Sequence, residues 1–174
     1  SEGDTLFVAG ASGAIGTLLV QMATKRGVRV IGSASAHNHD YLKSLGAEAV
    51  VDYHDDDWPT QVRAWAAGGV DGALAIQPGI GAGAQEAVRD GGRVVTVSGD
   101  AASVTAQRGI TVEQLRHRGD EARSDVEQLM DDIVSGAIRL VVERGYPFED
   151  ALSALEKTET RHARGKQVVA VPTG

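Results

Sequence analysis

The stretch Val8-Ala9-Gly10-Ala11-Ser12-Gly13-Ala14-Ile15-Gly16 follows an apolar run, Leu6-Phe7-Val8-Ala9. Beyond it, Ile15, Leu18, Leu19 and Met22 recur at helical spacing. A strand that passes through a glycine turn into a helix brings bare backbone and free helix-terminal N–H groups together. That arrangement suits a pyrophosphate, because the backbone can approach closely and the helix dipole is positive there. Gly13 and Gly16 fit the second and third glycines of G-x-G-x-x-G, and Ala11 stands where the first would be. Ala11, Ser12, Gly13, Ala14, Ile15 and Gly16 are therefore the candidate phosphate-binding turn. The plainer alternative is a turn that only joins strand to helix, and the surrounding strand–helix–strand order weighs against it.

Working outward, Val28-Arg29-Val30-Ile31-Gly32 reads as a second strand. Tyr41, Leu42 and Leu45 mark a helix closed by Gly46. Ala49-Val50-Val51 is a third strand, and residues 58–67 form a helix with Pro59 in its first turn. The run Asp55-Asp56-Asp57 caps that helix against its dipole. Strands are expected over 70–76, 93–97, 110–115 and 168–171, with helices over 80–89, 122–135 and 150–155. In the 122–135 helix, Val126, Leu129, Met130 and Ile133 share one face, and Tyr146-Pro147-Phe148 reads as a turn with a core anchor.

Strands and helices alternate with short connections, and the strands are apolar throughout rather than alternating. That is the pattern of a parallel sheet covered on both faces. The expectation is a doubly wound α/β (Rossmann) fold: a parallel six-stranded sheet with helices on both faces. No linker, repeat or low-complexity tract interrupts the chain, so residues 1–174 read as one domain.

An NAD-binding unit of this kind usually carries Asp or Glu at the end of its second strand, paired with the ribose 2′-hydroxyl. Here the chain has Gly32-Ser33-Ala34-Ser35, with no carboxylate. Removing the acid removes repulsion against a 2′-phosphate, and small hydroxyls can donate to one. The reading favours NADP(H) over NAD(H), and the same absence argues against S-adenosylmethionine.

The net charge of −7 and the lack of any basic stripe exclude nucleic acid and anionic membranes as expected partners. The absence of cysteine excludes disulfides and thiolate metal sites. His37, His39 and Asp40 have no further ligand nearby, so no metal is expected. No apolar run approaches the roughly 20 residues that span a bilayer, and a cytoplasmic setting is expected. The chain starts Ser1-Glu2-Gly3-Asp4 without Met, as a piece of a longer protein would.

The glycine turn, Ser33-Ala34-Ser35, Leu45-Gly46-Ala47-Glu48-Ala49-Val50-Val51-Asp52-Tyr53, Gly91-Gly92-Arg93-Val94-Val95 and Gly165-Lys166-Gln167-Val168-Val169 occur in that order. Together they resemble the nucleotide-binding domain of medium-chain dehydrogenase/reductases, in the zinc-independent quinone-oxidoreductase branch. The resemblance implies that the glycine turn meets pyrophosphate, and that Ser33, Ser35 and Tyr53 surround the adenosine 2′-phosphate. It also implies that Arg161 can reach that phosphate. A family lysine falls at Asn38, which shifts the expected charge to Arg161 and to His37 or His39. Ile76-Gln77-Pro78-Gly79 replaces a commoner Asp and Gly-rich turn, and Gln77 becomes a candidate nicotinamide neighbour. Ser98-Gly99 follows the fifth strand and either lines the nicotinamide pocket or is a simple strand-end turn.

The implied chemistry is hydride transfer from NADPH to a small electrophile such as a quinone or activated enone, the cofactor carrying the reaction. No catalytic residue is expected in the chain itself. In the family a GroES-like substrate domain precedes this one and is absent here, so cofactor binding with little turnover is expected. Residues 110–115 would form the open sheet edge and invite homodimerisation. Two other readings compete. A short-chain reductase also has a G-x-x-G-x-x-G turn, but none of Tyr41, Tyr53 and Tyr146 has the Lys four residues on that such enzymes use. A non-catalytic NADP(H)-binding or redox-sensing module remains open.

Overall fold

The computed structural model describes residues 1–116, 119–160 and 163–172. Its chain order is β1 (Thr5–Ala9), α1 (Gly16–Lys25), β2 (Arg29–Ser33), α2 (His39–Ser44), β3 (Ala49–Val51), α3 (Trp58–Trp65) and β4 (Val70–Ala75). There follow α4 (Gly81–Ala87), β5 (Val88–Thr96), β6 (Thr111–Gln114), α5 (Asp120–Val134), β7 (Val142–Pro147), α6 (Ala151–Glu159) and β8 (Lys166–Ala170).

Six strands form one sheet in the order β3-β2-β1-β4-β5-β6, and every pairing is parallel. This is the doubly wound Rossmann sheet expected from the sequence. Successive side chains of β1 enter opposite layers, as strand geometry requires. Phe7 and Ala9 join Trp58, Val62, Ala84 and Val94 under α3 and α4. Val8 joins Val20, Val30 and Leu42 under α1 and α2. Phe7 and Trp58 stack with ring centroids 5.1 Å apart. A strand buried on both faces has no polar side to show, which is why β1 reads as a continuous apolar run.

Three expectations need correcting. The strand expected over 168–171 does not close the main sheet. It is β8, paired in parallel with β7 in a separate two-stranded sheet. The proposed turn Tyr146-Pro147-Phe148 begins inside β7; Tyr146 is buried, whereas Phe148 is exposed. Charged residues between Val142 and Tyr146 hid this strand from a reading based on apolar runs. Asp57 occupies the cap position of α3 without a side-chain cap. Asp55 instead braces the turn before the helix, accepting from the Asp57 amide and the Gln61 side chain.

The α1 face also differs in detail. Its buried positions are Gly16, Thr17 and Val20, while Ile15 is exposed. In α5 the apolar Val126, Met130 and Val134 face solvent. Val142 of β7, Leu152 and Leu155 of α6, and Val168 of β8 are exposed as well. Among the described residues, no helix is long and apolar enough to cross a membrane.

Candidate functional site

Strands β1, β2 and β4 lie side by side, and a cavity of about 500 Å³ opens at their carboxyl ends. This is where ligands bind in open α/β sheets, because the chain reverses its direction of winding there. Gly10, Ser12 and Gly13 come from the turn after β1, and Ser33, Ala34, Ser35, His37 and Asn38 follow from β2. Tyr53 lies beyond β3, and Gln77, Pro78, Gly79 and Ile80 follow β4. Thr160 and Ala163, from the segment between α6 and β8, complete the wall.

The turn is built by short contacts. The Gly13 amide donates to the Gly10 carbonyl at 3.3 Å, and the Thr17 amide to the Gly13 carbonyl at 3.0 Å. The Ala11 amide donates to the Ser33 carbonyl at 3.0 Å, anchoring the turn to β2. Among the described residues the amides of Ser12, Ile15 and Gly16 donate to no backbone carbonyl, whereas the Ala14 amide is taken up in the parallel bridge between Gly13 and Gly165. No side chain caps α1. Unpaired N–H groups at a helix start are an anion site in waiting.

The end of β2 is organised by two hydroxyl and amide side chains. Ser33 is buried, and its Oγ accepts from the Gly10 amide at 3.2 Å. Asn38 is buried too; its Nδ2 lies 3.4 Å from Ser35 Oγ and 3.3 Å from His37 Nε2. Its Oδ1 accepts from Arg164 Nε at 2.8 Å. The Arg164 guanidinium sits over the Tyr41 ring, 4.8 Å from its centroid, and Arg139 stands 5.8 Å from the same ring. Burial pushes the Tyr41 hydroxyl above its ordinary pKa, and the two guanidiniums oppose that rise.

Carboxylates near the mouth are already engaged. Asp52 accepts from the His54 and Ala36 amides and from His54 Nδ1. These bonds, the His54 amide first, hold its pKa below the usual carboxylate range. Asp100 accepts from the Gly79 amide and Ser98 Oγ, each at 2.8 Å. The Gly79 amide is the main cause of its lowered pKa. Asp100 thus ties the turn after β4 to the end of β5, a role the sequence reading missed.

Of the sequence candidates, Ser12, Gly13, Ser33, Ser35, Asn38, Tyr53 and Gln77 line the cavity. Ala11 is fully buried behind the turn, and Ala14, Ile15 and Gly16 lie beside the cavity wall without lining it. Ser98 is exposed, outside the lining, and bonded to Asp100. Arg161 lies outside the described residues. Thr160, Ala163 and Arg164 were not singled out as site residues. Only long-range folding brings Arg164 to Asn38, 126 positions away.

A doubly wound sheet with this turn and cavity is the nucleotide-binding domain of a medium-chain dehydrogenase/reductase. Residues 45–169 match a family described as zinc-binding dehydrogenase, and the chain belongs to that family. A probable mitochondrial zinc-binding oxidoreductase of Arthroderma benhamiae is 31% identical over 98% of this chain and 53% of its own length. A chloroplastic NADPH-dependent alkenal/one oxidoreductase of Arabidopsis thaliana is 28% identical over 97% of this chain and 41% of its own. The quinone oxidoreductase structure from Coxiella burnetii superposes with a TM-score of 0.89 at 27% identity. That match covers 99% of this chain and 54% of the other. The chain therefore spans about half the length of these relatives.

The family description mentions zinc, and the described residues form no site for one. The chain has no cysteine, and among the described residues no group of three His, Asp or Glu could hold a metal ion.

Proposed function

We propose that this chain is the cofactor-binding half of an NADPH-dependent oxidoreductase that delivers hydride to a quinone or activated enone. One observation carries the reading: three unpaired amides in the turn that leads into α1, those of Ser12, Ile15 and Gly16, stand beside a cavity with no carboxylate at the end of β2. The amides of Ser12, Ile15 and Gly16 would take the pyrophosphate. Ser35, Asn38, Tyr53 and Arg161 would surround the 2′-phosphate, with Ser33 holding the turn. Gln77 and the Asp100-tethered loop would border the nicotinamide. Bound NADPH would supply the hydride, and the residues of this chain bind and orient it. The likeness to an NADPH-dependent alkenal/one oxidoreductase and to a quinone oxidoreductase supports the cofactor and the substrate class.

A GroES-like domain would close the cleft and bring the small electrophilic substrate. The exposed apolar side chains of α5, α6, β7 and β8 support this, since such a patch marks a surface that is normally covered. The open edge of β6, flanked by exposed Leu115, would pair two copies. A monomeric mass in dilute-solution light scattering counts against that pairing.

Fluorescence titration of the chain with NADPH and NADH tests the cofactor. NADPH is expected to bind more tightly, and tighter NADH binding overturns the NADP(H) assignment. Quinone and enone reduction is expected from a chain extended through the second domain and not from this one. Full turnover by the isolated chain would contradict the two-domain reading.

A further inference from the structure

Asn38 is a buried amide with a choice of orientation: it can show the cavity a carbonyl oxygen or an NH₂ group. The two have opposite consequences for a phosphate. Arginine carries only donors, so the Asn38 oxygen has to face Arg164 Nε, 2.8 Å away. The NH₂ is thereby turned toward Ser35 and His37, both in the cavity lining. Arg164 is itself held in place, its guanidinium resting on the Tyr41 ring. Among the described residues it pairs with no carboxylate.

We propose that the Arg164–Asn38 pair determines nucleotide specificity: Arg164 fixes Asn38 as a hydrogen-bond donor toward the 2′-phosphate and adds positive field behind it. Asn38 is the contact residue, and Arg164 is a positioning residue acting through it. This rests on the cofactor reading above. It replaces the idea of a lysine-like cation at the mouth with a neutral amide oriented by an arginine 126 positions away in sequence. It also makes phosphate recognition depend on docking of the segment before β8, whose Gly165 amide donates to the Ser12 carbonyl at 3.1 Å.

The discriminating substitution is Asn38→Asp. The carboxylate keeps the partner at Arg164, so the fold is retained, but it presents an acceptor where a donor stood. A carboxylate beside the adenosine ribose suits a free 2′-hydroxyl and repels a 2′-phosphate. Calorimetric titration with adenosine 2′,5′-bisphosphate and with 5′-AMP isolates the subsite from the nicotinamide end. The unaltered chain is expected to prefer the bisphosphate. Asn38→Asp should lose roughly ten- to a hundredfold of that preference, the range of one hydrogen bond to a charged group. Arg164→Gln should lower the ratio of the two affinities, and Arg164→Lys should restore part of it; a purely structural role would weaken both ligands alike. An unchanged ratio in a folded Asn38→Asp or Arg164→Gln chain overturns the inference while leaving the cofactor reading intact. Binding of neither ligand, nor of NADPH, by the unaltered chain sinks the cofactor reading and this inference with it.

Discussion

The Gly165 amide donates to the Ser12 carbonyl at 3.1 Å, joining the small β7–β8 sheet to the glycine turn of the main sheet. Gly165 has φ +76°, and a Cβ there would lie 2.5 Å from the Val141 carbonyl oxygen. Both the left-handed backbone and the lack of space demand glycine. Gly165→Ala is expected to cost about 1–3 kcal/mol, read by urea denaturation. NADPH affinity should fall with it, because the segment that walls the cavity is displaced. Unchanged stability and affinity would contradict this coupling.

Gly13 and Gly16 should separate folding from binding. A Cβ on Gly16 would collide with the Gly10 carbonyl and approach Ala11 to 2.6 Å. Gly16→Ala is therefore expected to destabilise the chain by about 1–3 kcal/mol through overpacking. A Cβ on Gly13 meets only the Gly10 oxygen at 3.5 Å, an ordinary contact. Gly13→Ala should melt within a few degrees of the parent yet bind NADPH more weakly, since its methyl faces the proposed pyrophosphate path. Parent-like affinity would remove Gly13 from the site.

Ser33 illustrates a residue with a second duty. Its Oγ accepts from the Gly10 amide, so Ser33→Ala leaves a partly buried donor unpaired. The expected loss is about 1 kcal/mol in denaturant titration. The glycine turn should loosen, and NADPH and NADH affinities should fall together. A selective loss of NADPH would instead assign the hydroxyl to the phosphate.

Asp71 ties the start of β4 to β1. Its carboxylate accepts from Arg89 Nε at 2.7 Å and from the Thr5 amide and hydroxyl, each at 2.8 Å. The Arg89 bond is the leading cause that lowers its pKa from 3.8 to about 2. The folded form thus favours the ionised carboxylate. The stabilisation is complete above pH 3.8 and disappears as pH falls through about 2. Because the side chain is about a third exposed, solvent screening limits the contribution to no more than about 1 kcal/mol. Asp71→Asn should lower stability at neutral pH and flatten that acid limb. An identical acid limb in the variant would refute the assignment.

The order of sheet and helices was legible because each element carries its own periodicity. Strands such as Leu6-Phe7-Val8-Ala9 are apolar on both faces, and Pro59 and Gly46 punctuate helices by local chemistry. The glycine turn was legible for the same reason, since strand, turn and helix are contiguous. β7 was not, because its Glu143-Arg144-Gly145 stretch resembles a loop until β8 pairs with it. The role of Asp100 was not legible either, because its partners, Gly79 and Ser98, follow different strands.

By itself the sequence determined a doubly wound fold and a glycine turn free to meet a phosphate. Both depend on neighbours within a few residues, where backbone sterics and side-chain period act directly. Only the tertiary structure decided which groups face the cavity and in what orientation. Ser33 was turned to the backbone, Ser98 was left outside, and Arg164 was set against Asn38. Such choices are made by hydrogen bonds between segments distant in the chain. Their donors and acceptors can be counted from the sequence, but their pairing exists only once the core has brought them together.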